Sequence, residues 1–210
     1  MKFPDNSTHP QLEPAEPTDD EIRKAGRAIL DGRFRAEFGR DVHKIGFVEK
    51  MENLPEPKLE FLHKLWLDKA DPETGRHDRA EFDMLSMLPA VGNIMILDVL
   101  RNGYDARYRL YGTGISDSSS RDWTGHTVSE MNRATRHDLA LMYRAVYLAA
   151  YQSNRPIYSE HLAPHWLSGK IWRRLVLPVS YGGETCEQFI VGNIPVSALS
   201  ADTGRNDDPL

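Results

Sequence analysis

Residues 93–112 read NIMILDVLRNGYDARYRLYG, and this pattern predicts a β-hairpin. Asn93–Leu100 is a nearly continuous apolar run rich in Ile, Val and Leu, and it is short enough to be a buried strand. Asn102-Gly103 is the strongest two-residue hairpin signal, because both residues tolerate the positive φ that such a turn needs. Tyr104–Ile115 is then predicted as the partner strand.

The basic residues near these strands have a simple interpretation. Under strict alternation Tyr108 faces the core and Arg109 faces the other side, where an ion pair is favoured over ligand contact. Arg173 and Arg174 are interpreted as solvated charges on a strand edge, where charge also blocks aggregation, and Arg121 as a similar small basic spot.

Downstream of the hairpin, the pattern predicts one long helix and three strands. Thr135 and Asp138 form a capping-box pair that would open a helix over residues 136–153. The strand-like runs are Ile157–His161, Ile171–Ser180 and Glu187–Val196. Because tight turns join strand pairs at both ends, we expect an α+β fold with an antiparallel sheet of about five strands and helices on one face.

Upstream of the hairpin, the sequence predicts helices. A capping box at Thr18 opens an amphipathic helix whose apolar stripe must dock on its own domain or on a second copy of the chain. Lys58–Lys69 is predicted as a second helix. Ala80–Leu88 is predicted as a third, with Leu85 buried.

Four segments follow from this organisation. Residues 1–17 are polar and rich in proline, which predicts a disordered tail. Residues 18–54 are predicted as an N-terminal helical extension, residues 55–198 as the folded domain, and residues 199–210 as a flexible tail.

The composition limits the partners and the compartment. The chain has 210 residues with 26 basic and 31 acidic side chains, and its formal net charge of −5 does not favour nucleic acid as a partner. No run of 18 apolar residues suggests a membrane span, and the N-terminus lacks a signal-peptide core. The single cysteine, Cys186, excludes an intramolecular disulfide. We therefore predict a cytoplasmic protein that does not insert into membranes.

Several short motifs occur in a recognisable order. They are RAEF at 79–82, LP at 88–89, LDV at 97–99, YRLYGT at 108–113, TG at 124–125 and LVLPVS at 175–180 with Gly182-Gly183 after it. Together they resemble a bacterial family of stand-alone PAS-domain proteins over roughly Leu59–Val196. His77 departs from the proline that the family often has there, in a loop. The resemblance implies a PAS-like fold and a sensory or signalling role, with no particular ligand.

No motif identifies a metal or a cofactor. His161 and His165 would be about 13 Å apart along an extended chain, which is too far to share one zinc ion. Residues 116–123 lack the reactive cysteine of flavin-photochemical PAS domains. Haem needs an axial ligand, usually a histidine, and His137 is the histidine that the predicted long helix contains. We therefore predict no metal site and leave the cofactor unidentified, with haem held from another position still open.

The remaining candidate is a pocket between the sheet and the long helix. Five residues on inner-face registers are predicted to line it: Tyr108, Met142, Tyr143, Val146 and Trp172. Aromatic and methionine side chains with a few polar groups are typical of small-molecule sites. The interpretation favoured over a pocket is that the same residues fill a solid core, because a domain of this size needs all the apolar burial it can get.

The functional prediction is a sensory or signalling module that acts through protein contacts and is not an enzyme. It would contact a signalling protein, form a homodimer through the first helix, and bind a small molecule in the pocket. One alternative is a small α+β enzyme that uses Asp98 or His161 in acid–base chemistry. The other is an interaction scaffold without a ligand.

Overall fold

A computed structural model describes residues 16–136, 139–163 and 170–197. The helices are α1 (Asp19–Leu30), α2 (Pro57–Asp68), α3 (Thr113–Ser119), α4 (Val128–Thr135) and α5 (Ala140–Ser153). The strands are β1 (Val42–Phe47), β2 (Ile94–Leu100), β3 (Asp105–Tyr111), β4 (Ile157–Leu162), β5 (Lys170–Val179) and β6 (Gln188–Ser197). Within these ranges no helix has the length and apolar content that crossing a bilayer requires.

The strands form one open sheet in the order β1-β4-β5-β6-β2-β3, with every neighbouring pair antiparallel. The predicted α+β class and antiparallel sheet are confirmed, but the sheet has six strands and not five. The additional strand is β1, which pairs with β4 and lies within the segment 18–54 that was predicted to be helical. An irregularity between Val42 and Lys44 breaks the alternation of β1, which explains why its sequence gives no strand signal.

The hairpin is confirmed, but its connection is a four-residue loop, 101–104, between the paired residues Leu100 and Asp105, and not the predicted two-residue turn. A bulge shifts the register after Tyr108, so Arg109 is an extra residue in β3 and Tyr111 packs into the same core cluster as Tyr108. The strand is shorter than predicted, because it ends at Tyr111 and α3 begins two residues later.

Helices cover both faces of the sheet, so the prediction of helices on one face was wrong. We call the face that packs against α5 the inner face and the face that packs against α2 the outer face. Leu59, Leu62 and Trp66 of α2 are buried against the outer face. A Cβ at Gly192 of β6 would lie 2.5 Å from a methyl carbon of Leu59, so glycine permits this close approach.

The long helix α5 begins later than predicted. Thr135 is the last residue of α4, and its hydroxyl donates to the Met131 carbonyl, so it does not cap α5. Asp138, the other half of the predicted capping box, lies outside the described residues. The capping box in this region is formed by Thr127 and Glu130, at the start of α4.

The first helix docks within its own chain. Ile22, Ala25 and Ile29 on its apolar stripe are buried, and α1 packs along α5. A Cβ at Gly26 would lie 3.4 Å from Leu148 of α5, which places the two helices in close contact. The stripe on which a homodimer was predicted is therefore covered by the chain itself.

Residues 80–88 do not form the predicted helix. Short 3-10 turns occupy Arg79–Glu81 and Leu88–Ala90 instead. Phe82 is buried, whereas Leu85 is 79 % exposed, contrary to the prediction. The reason is local hydrogen bonding, because Asp83 accepts from the Ser86 amide and forms a turn.

His77 should make the stability of the fold dependent on pH. Its ring stacks on Trp66 with 3.4 Å between the ring centroids, and burial lowers its pKa to about 4. In the unfolded chain the pKa is about 6.5. The unfolded state therefore takes up a proton first as the pH falls, and the native state loses stability from about pH 6.5 down to about pH 4.

We expect a loss of about 2 kcal/mol in the free energy of unfolding between about pH 7 and about pH 5 from this residue. His77→Phe keeps a ring against Trp66 and removes the titration. Urea unfolding at both pH values should show a smaller pH dependence for the variant, and an equal dependence would mean that other groups cause it.

Candidate ligand-binding cavity

A cavity of about 240 Å³ lies between the inner face of the sheet and the helices α3, α4 and α5. Its lining is mostly aromatic and sulfur-containing, with a few polar groups. The lining residues are Met95, Tyr108, Tyr111, Ser119, Ser120, Arg121, Trp123, Met131, Thr135, Tyr143, Trp172, Arg174 and Asn193. This composition is typical of small-molecule sites.

The structure brings three of the five predicted pocket residues to the cavity wall. Tyr108 of β3, Tyr143 of α5 and Trp172 of β5 line the cavity. Met142 and Val146 are buried in the same core cluster, but they do not line the cavity. Of the five predicted residues, Tyr108, Tyr143 and Trp172 therefore line a cavity, whereas Met142 and Val146 fill the core.

Arg174 is the polar residue at the centre of the cavity wall. It was predicted to be a solvated edge charge, but β5 is an interior strand and Arg174 is only 5 % exposed. Its guanidinium donates to the Tyr147 hydroxyl at 2.5 Å and lies over the Tyr143 ring, 4.5 Å from the centroid. The side chain is therefore held by the aromatic groups of Tyr143 and Tyr147.

No acidic side chain in the part of the chain that the structure describes pairs with Arg174. Its Nε is buried and has no hydrogen-bond partner there. An arginine stays charged inside a protein, and removing an ion from water costs several kcal/mol unless a partner compensates for it. A desolvated cation over an aromatic ring gains about 2 kcal/mol or more, so the Tyr143 and Tyr147 rings offset part of this cost without neutralising the charge.

Two other arginines that are withdrawn from solvent are paired with carboxylates. Arg144 is buried, contacts Glu16 at 2.5 Å and lies 3.9 Å from Asp105. Arg173 is partly buried on the outer face and contacts Glu56 at 2.6 Å. Among the described residues Arg174 differs from these two in having no carboxylate partner.

The tyrosines around Arg174 supply no negative charge. Burial raises the pKa of Tyr108, Tyr143 and Tyr147, which keeps these hydroxyls protonated at neutral pH. Burial also raises the pKa of Tyr111. Two lining residues therefore carry a positive charge, the buried Arg174 in the wall and the exposed Arg121 at the rim, and no described lining residue carries a negative one.

Asn193 adds a second unsatisfied polar group. It lies opposite Arg174 in the β5–β6 register, and its side chain lines the same cavity. Asn193 is 7 % exposed, and its Oδ1 has no hydrogen-bond partner among the described residues. Buried polar groups in native proteins are nearly always paired, so two unpaired groups facing one cavity indicate a place for a polar ligand.

Arg121 and Trp123 form one rim of the cavity. The Arg121 guanidinium lies 4.0 Å from the centroid of the Trp123 ring, and Arg121 is exposed whereas Trp123 is buried. Both follow α3, whose Ser119 accepts or donates a hydrogen bond with Tyr111 at 3.5 Å. The rim is thus formed by a short helix and the loop after it, and Ile115 of α3 and Trp123 of the loop anchor it in the inner core cluster.

Asp98 and His161, the candidates for acid–base chemistry, are far apart. In the strand register Asp98 of β2 lies opposite Gln188 of β6, which in turn lies opposite Val179 of β5. His161 of β4 lies opposite Trp172 of β5. Val179 and Trp172 are seven residues apart on one strand, which corresponds to roughly 23 Å. The two residues therefore cannot form a carboxylate–histidine pair.

Neither residue has the surroundings of a catalytic acid or base. The Asp98 carboxylate accepts from Arg109 at 2.8 Å, and this is the outer-face ion pair that was predicted for Arg109. The His161 Nε2 is 2.9 Å from the Tyr143 hydroxyl. A carboxylate–histidine contact does occur between Glu160 and His43, at 3.5 Å, but Glu160 follows the opposite register from His161 and faces away from the cavity.

Metal ligands and reactive thiols are sparse in this part of the molecule. Among the described residues no group of three or more His, Cys, Asp or Glu side chains could hold a metal ion. His165 and His137, which were considered as ligands, lie outside those residues. Cys186 is buried, and burial raises its pKa to about 12, so its thiol is not activated.

Sequence reasoning missed Arg174 and Asn193. Arg174 follows Trp172 by two residues, so strand alternation alone places both side chains on the same face. Asn193 belongs to the same face of β6 as Phe189 and Val191, which are buried in the inner core. The signal was therefore present as a polar residue at an inner-face position in each of two neighbouring strands.

Comparisons with known proteins found no matching family model, no matching curated protein and no matching solved structure.

Proposed function

We propose that the protein is a PAS-like sensory module that binds a small molecule in the cavity and acts through contacts with other proteins in the cytoplasm. After α2, the helices and strands follow the PAS order of two strands, short helices, a long helix and three strands. The long helix α5 covers the inner face, where the cavity lies. These features support the proposal together with the motif resemblance.

The observation that carries the proposal is the uncompensated charge of Arg174 in a preformed cavity. A solid core would gain stability from an apolar residue at this position, because the residue would need no hydrogen-bond partner. Retaining a buried cation at the wall of an aromatic cavity is expected where the charge serves a ligand.

The proposal is tested by native mass spectrometry of the freshly purified chain together with a thermal-shift screen of acidic, neutral and basic compounds of about ten non-hydrogen atoms. A retained molecule, or a rise in melting temperature with any of these classes, supports a ligand site. A protein that carries nothing and responds to no class would instead be an interaction scaffold.

The helix predicted to form a homodimer is covered within the chain. α5 packs on the apolar stripe of α1, so a homodimer through that stripe would require α1 to move. α2 covers part of the outer face, and Arg107 and Arg109 of β3 stay exposed there. Light scattering with and without residues 1–54 tests the role of α1, and an unchanged number of protomers per particle would exclude α1 from a dimer interface.

A further inference from the structure

We propose that the cavity takes a small monocarboxylate with an apolar body, and that its carboxylate pairs with Arg174. This inference rests on the proposed function of the cavity as a ligand site. It goes further by assigning the chemical class of the ligand and the residue that recognises it.

The charge of the ligand follows from the positive charge of Arg174, which no described carboxylate neutralises. The guanidinium has one positive charge, a buried Nε without a partner among the described residues, and neutral tyrosines around it. A carboxylate supplies one negative charge and two acceptor oxygens, and the planar guanidinium can bind it with two parallel hydrogen bonds. A phosphate ester carries about two negative charges at neutral pH, and Arg174 is the buried cation of the lining, since the other lining arginine, Arg121, is exposed at the rim. One buried positive charge matches a carboxylate better than a phosphate.

The apolar body follows from the rest of the wall. Away from Arg174 and Asn193 the cavity is formed largely by rings and thioethers, including Met95, Trp172 and Tyr108. These groups favour a ring or an alkyl chain over a polyhydroxylated body.

The size of the ligand follows from the volume. A cavity of about 150 Å³ is known to hold one benzene molecule, so about 240 Å³ corresponds to roughly ten non-hydrogen atoms. Hydrocinnamate and octanoate have about this size. Larger ligands such as nucleotides or flavins do not fit this volume.

Asn193 extends the polar end of the site. Asn193 lies beside Arg174 in the strand register and lines the cavity, and its buried Oδ1 has no hydrogen-bond partner among the described residues. A small rotation of the side chain would let this oxygen accept a hydrogen bond from a donor close to the ligand carboxylate. Ser119, Ser120 and Thr135 line the cavity from the side of α3 and α4.

The test compares acids with neutral analogues of the same shape on the full chain. The pairs are hydrocinnamate with hydrocinnamamide, and octanoate with octanamide. At a hundredfold excess over the dissociation constant, a bound acid should raise the melting temperature by about 5–10 °C. In calorimetric titrations the amides should bind at least about a hundredfold more weakly than the acids, because they leave the buried cation unpaired.

Substitutions test whether Arg174 is the residue that distinguishes the acids from the amides. Arg174→Met should abolish the preference for the acids, with a loss of at least about a hundredfold in their affinity and little change for the amides. Arg174→Lys keeps the charge but not the two-pronged geometry, and it should lose about tenfold. Arg109→Met removes an exposed outer-face arginine and should leave both affinities unchanged.

The outcomes separate this inference from the proposed function. Amides that bind as tightly as the acids would overturn the carboxylate assignment while leaving a small-molecule site in place. Acids that bind equally well to wild type and Arg174→Met would show that another group, such as Arg121 at the rim, recognises them. Failure of every compound, in a protein that also retains nothing on purification, would overturn both proposals. If Arg174→Met does not fold, the comparison of acids and amides on the wild type and on Arg174→Lys decides the question.

Discussion

Arg144→Met is expected to lower the free energy of unfolding by about 3 kcal/mol, because the substitution leaves the buried Asp105 carboxylate and the partly buried Glu16 carboxylate without their cation. Arg144 is 2 % exposed, donates to the Tyr104 carbonyl and to Glu16, and lies 3.9 Å from Asp105. Asp105 in turn accepts from the Ser129 hydroxyl at 2.7 Å. The network joins α5, β3 and α4, so its loss should also loosen the α4 wall of the cavity.

Urea unfolding gives the measurement, and two further variants interpret it. Arg107→Met, at an exposed position of β3, should change the free energy of unfolding by less than about 0.5 kcal/mol. Asp105→Asn combined with Arg144→Met should cost less than the sum of the single substitutions, because both members of one charge pair are then neutral. Strict additivity would mean that the two residues do not interact.

The same substitution at Arg174 should behave differently in the absence of ligand. Arg174 has no carboxylate partner among the described residues, so Arg174→Met removes a desolvated charge and leaves the Tyr147 hydroxyl as the group that loses a hydrogen bond. These two effects oppose each other, and we expect a net change within about 1 kcal/mol. A loss as large as that of Arg144→Met would indicate that Arg174 has a structural role.

Gly112→Ala is expected to destabilise the protein by about 3 kcal/mol or more, because there is no space for a side chain at this position. A Cβ at Gly112 would lie 2.4 Å from the Gly92 carbonyl oxygen and 2.8 Å from the Ile94 carbonyl oxygen. Both contacts are with backbone, which cannot rotate away as a side-chain tip can. The Gly112 amide also donates to the Ile94 carbonyl at 2.9 Å.

The effect should extend to the cavity, since Gly112 is the residue at which β3 gives way to α3. A shift there would move Ser119 and the rim that follows it. Gly46→Ala in β1 is the matched control, because a Cβ at Gly46 meets no atom within 4 Å, and it should be neutral or stabilise by about 0.5 kcal/mol. Equal losses in free energy of unfolding for the two variants would contradict the argument from close approach.

Much of the sheet could be predicted from the sequence because its signals are local. The Asn102-Gly103 turn and the apolar runs that became β2, β5 and β6 require only neighbouring residues to be recognised. β1 was missed because it is short and irregular, and because its pairing with β4 spans more than 100 residues. The covering of the outer face by α2 was missed for a similar reason, since an amphipathic helix does not indicate which face of a sheet it will cover.

The cavity was predicted in part for a different physical reason. Tyr108, Tyr143 and Trp172 were found because aromatic residues on an inner register are expected in a core and in a pocket alike. Arg174 was missed because Arg173-Arg174 was interpreted as one basic spot, although adjacent residues of a strand face opposite sides. Arg173 pairs with Glu56 and Glu160 on the outer face, and Arg174 faces the cavity. Arg174, a charged residue at an inner-face position, was therefore the most informative residue of β5.

The central claim is that Arg174 holds a carboxylate inside the cavity, and a crystal structure with para-bromohydrocinnamate tests it most directly. The bromine gives an anomalous signal that locates the ring independently of any interpretation of the density. We predict a bromine peak within the cavity, with the ligand carboxylate within hydrogen-bond distance of the Arg174 guanidinium. A cavity without a peak after soaking at saturating concentration, or a carboxylate directed away from Arg174, would contradict the account.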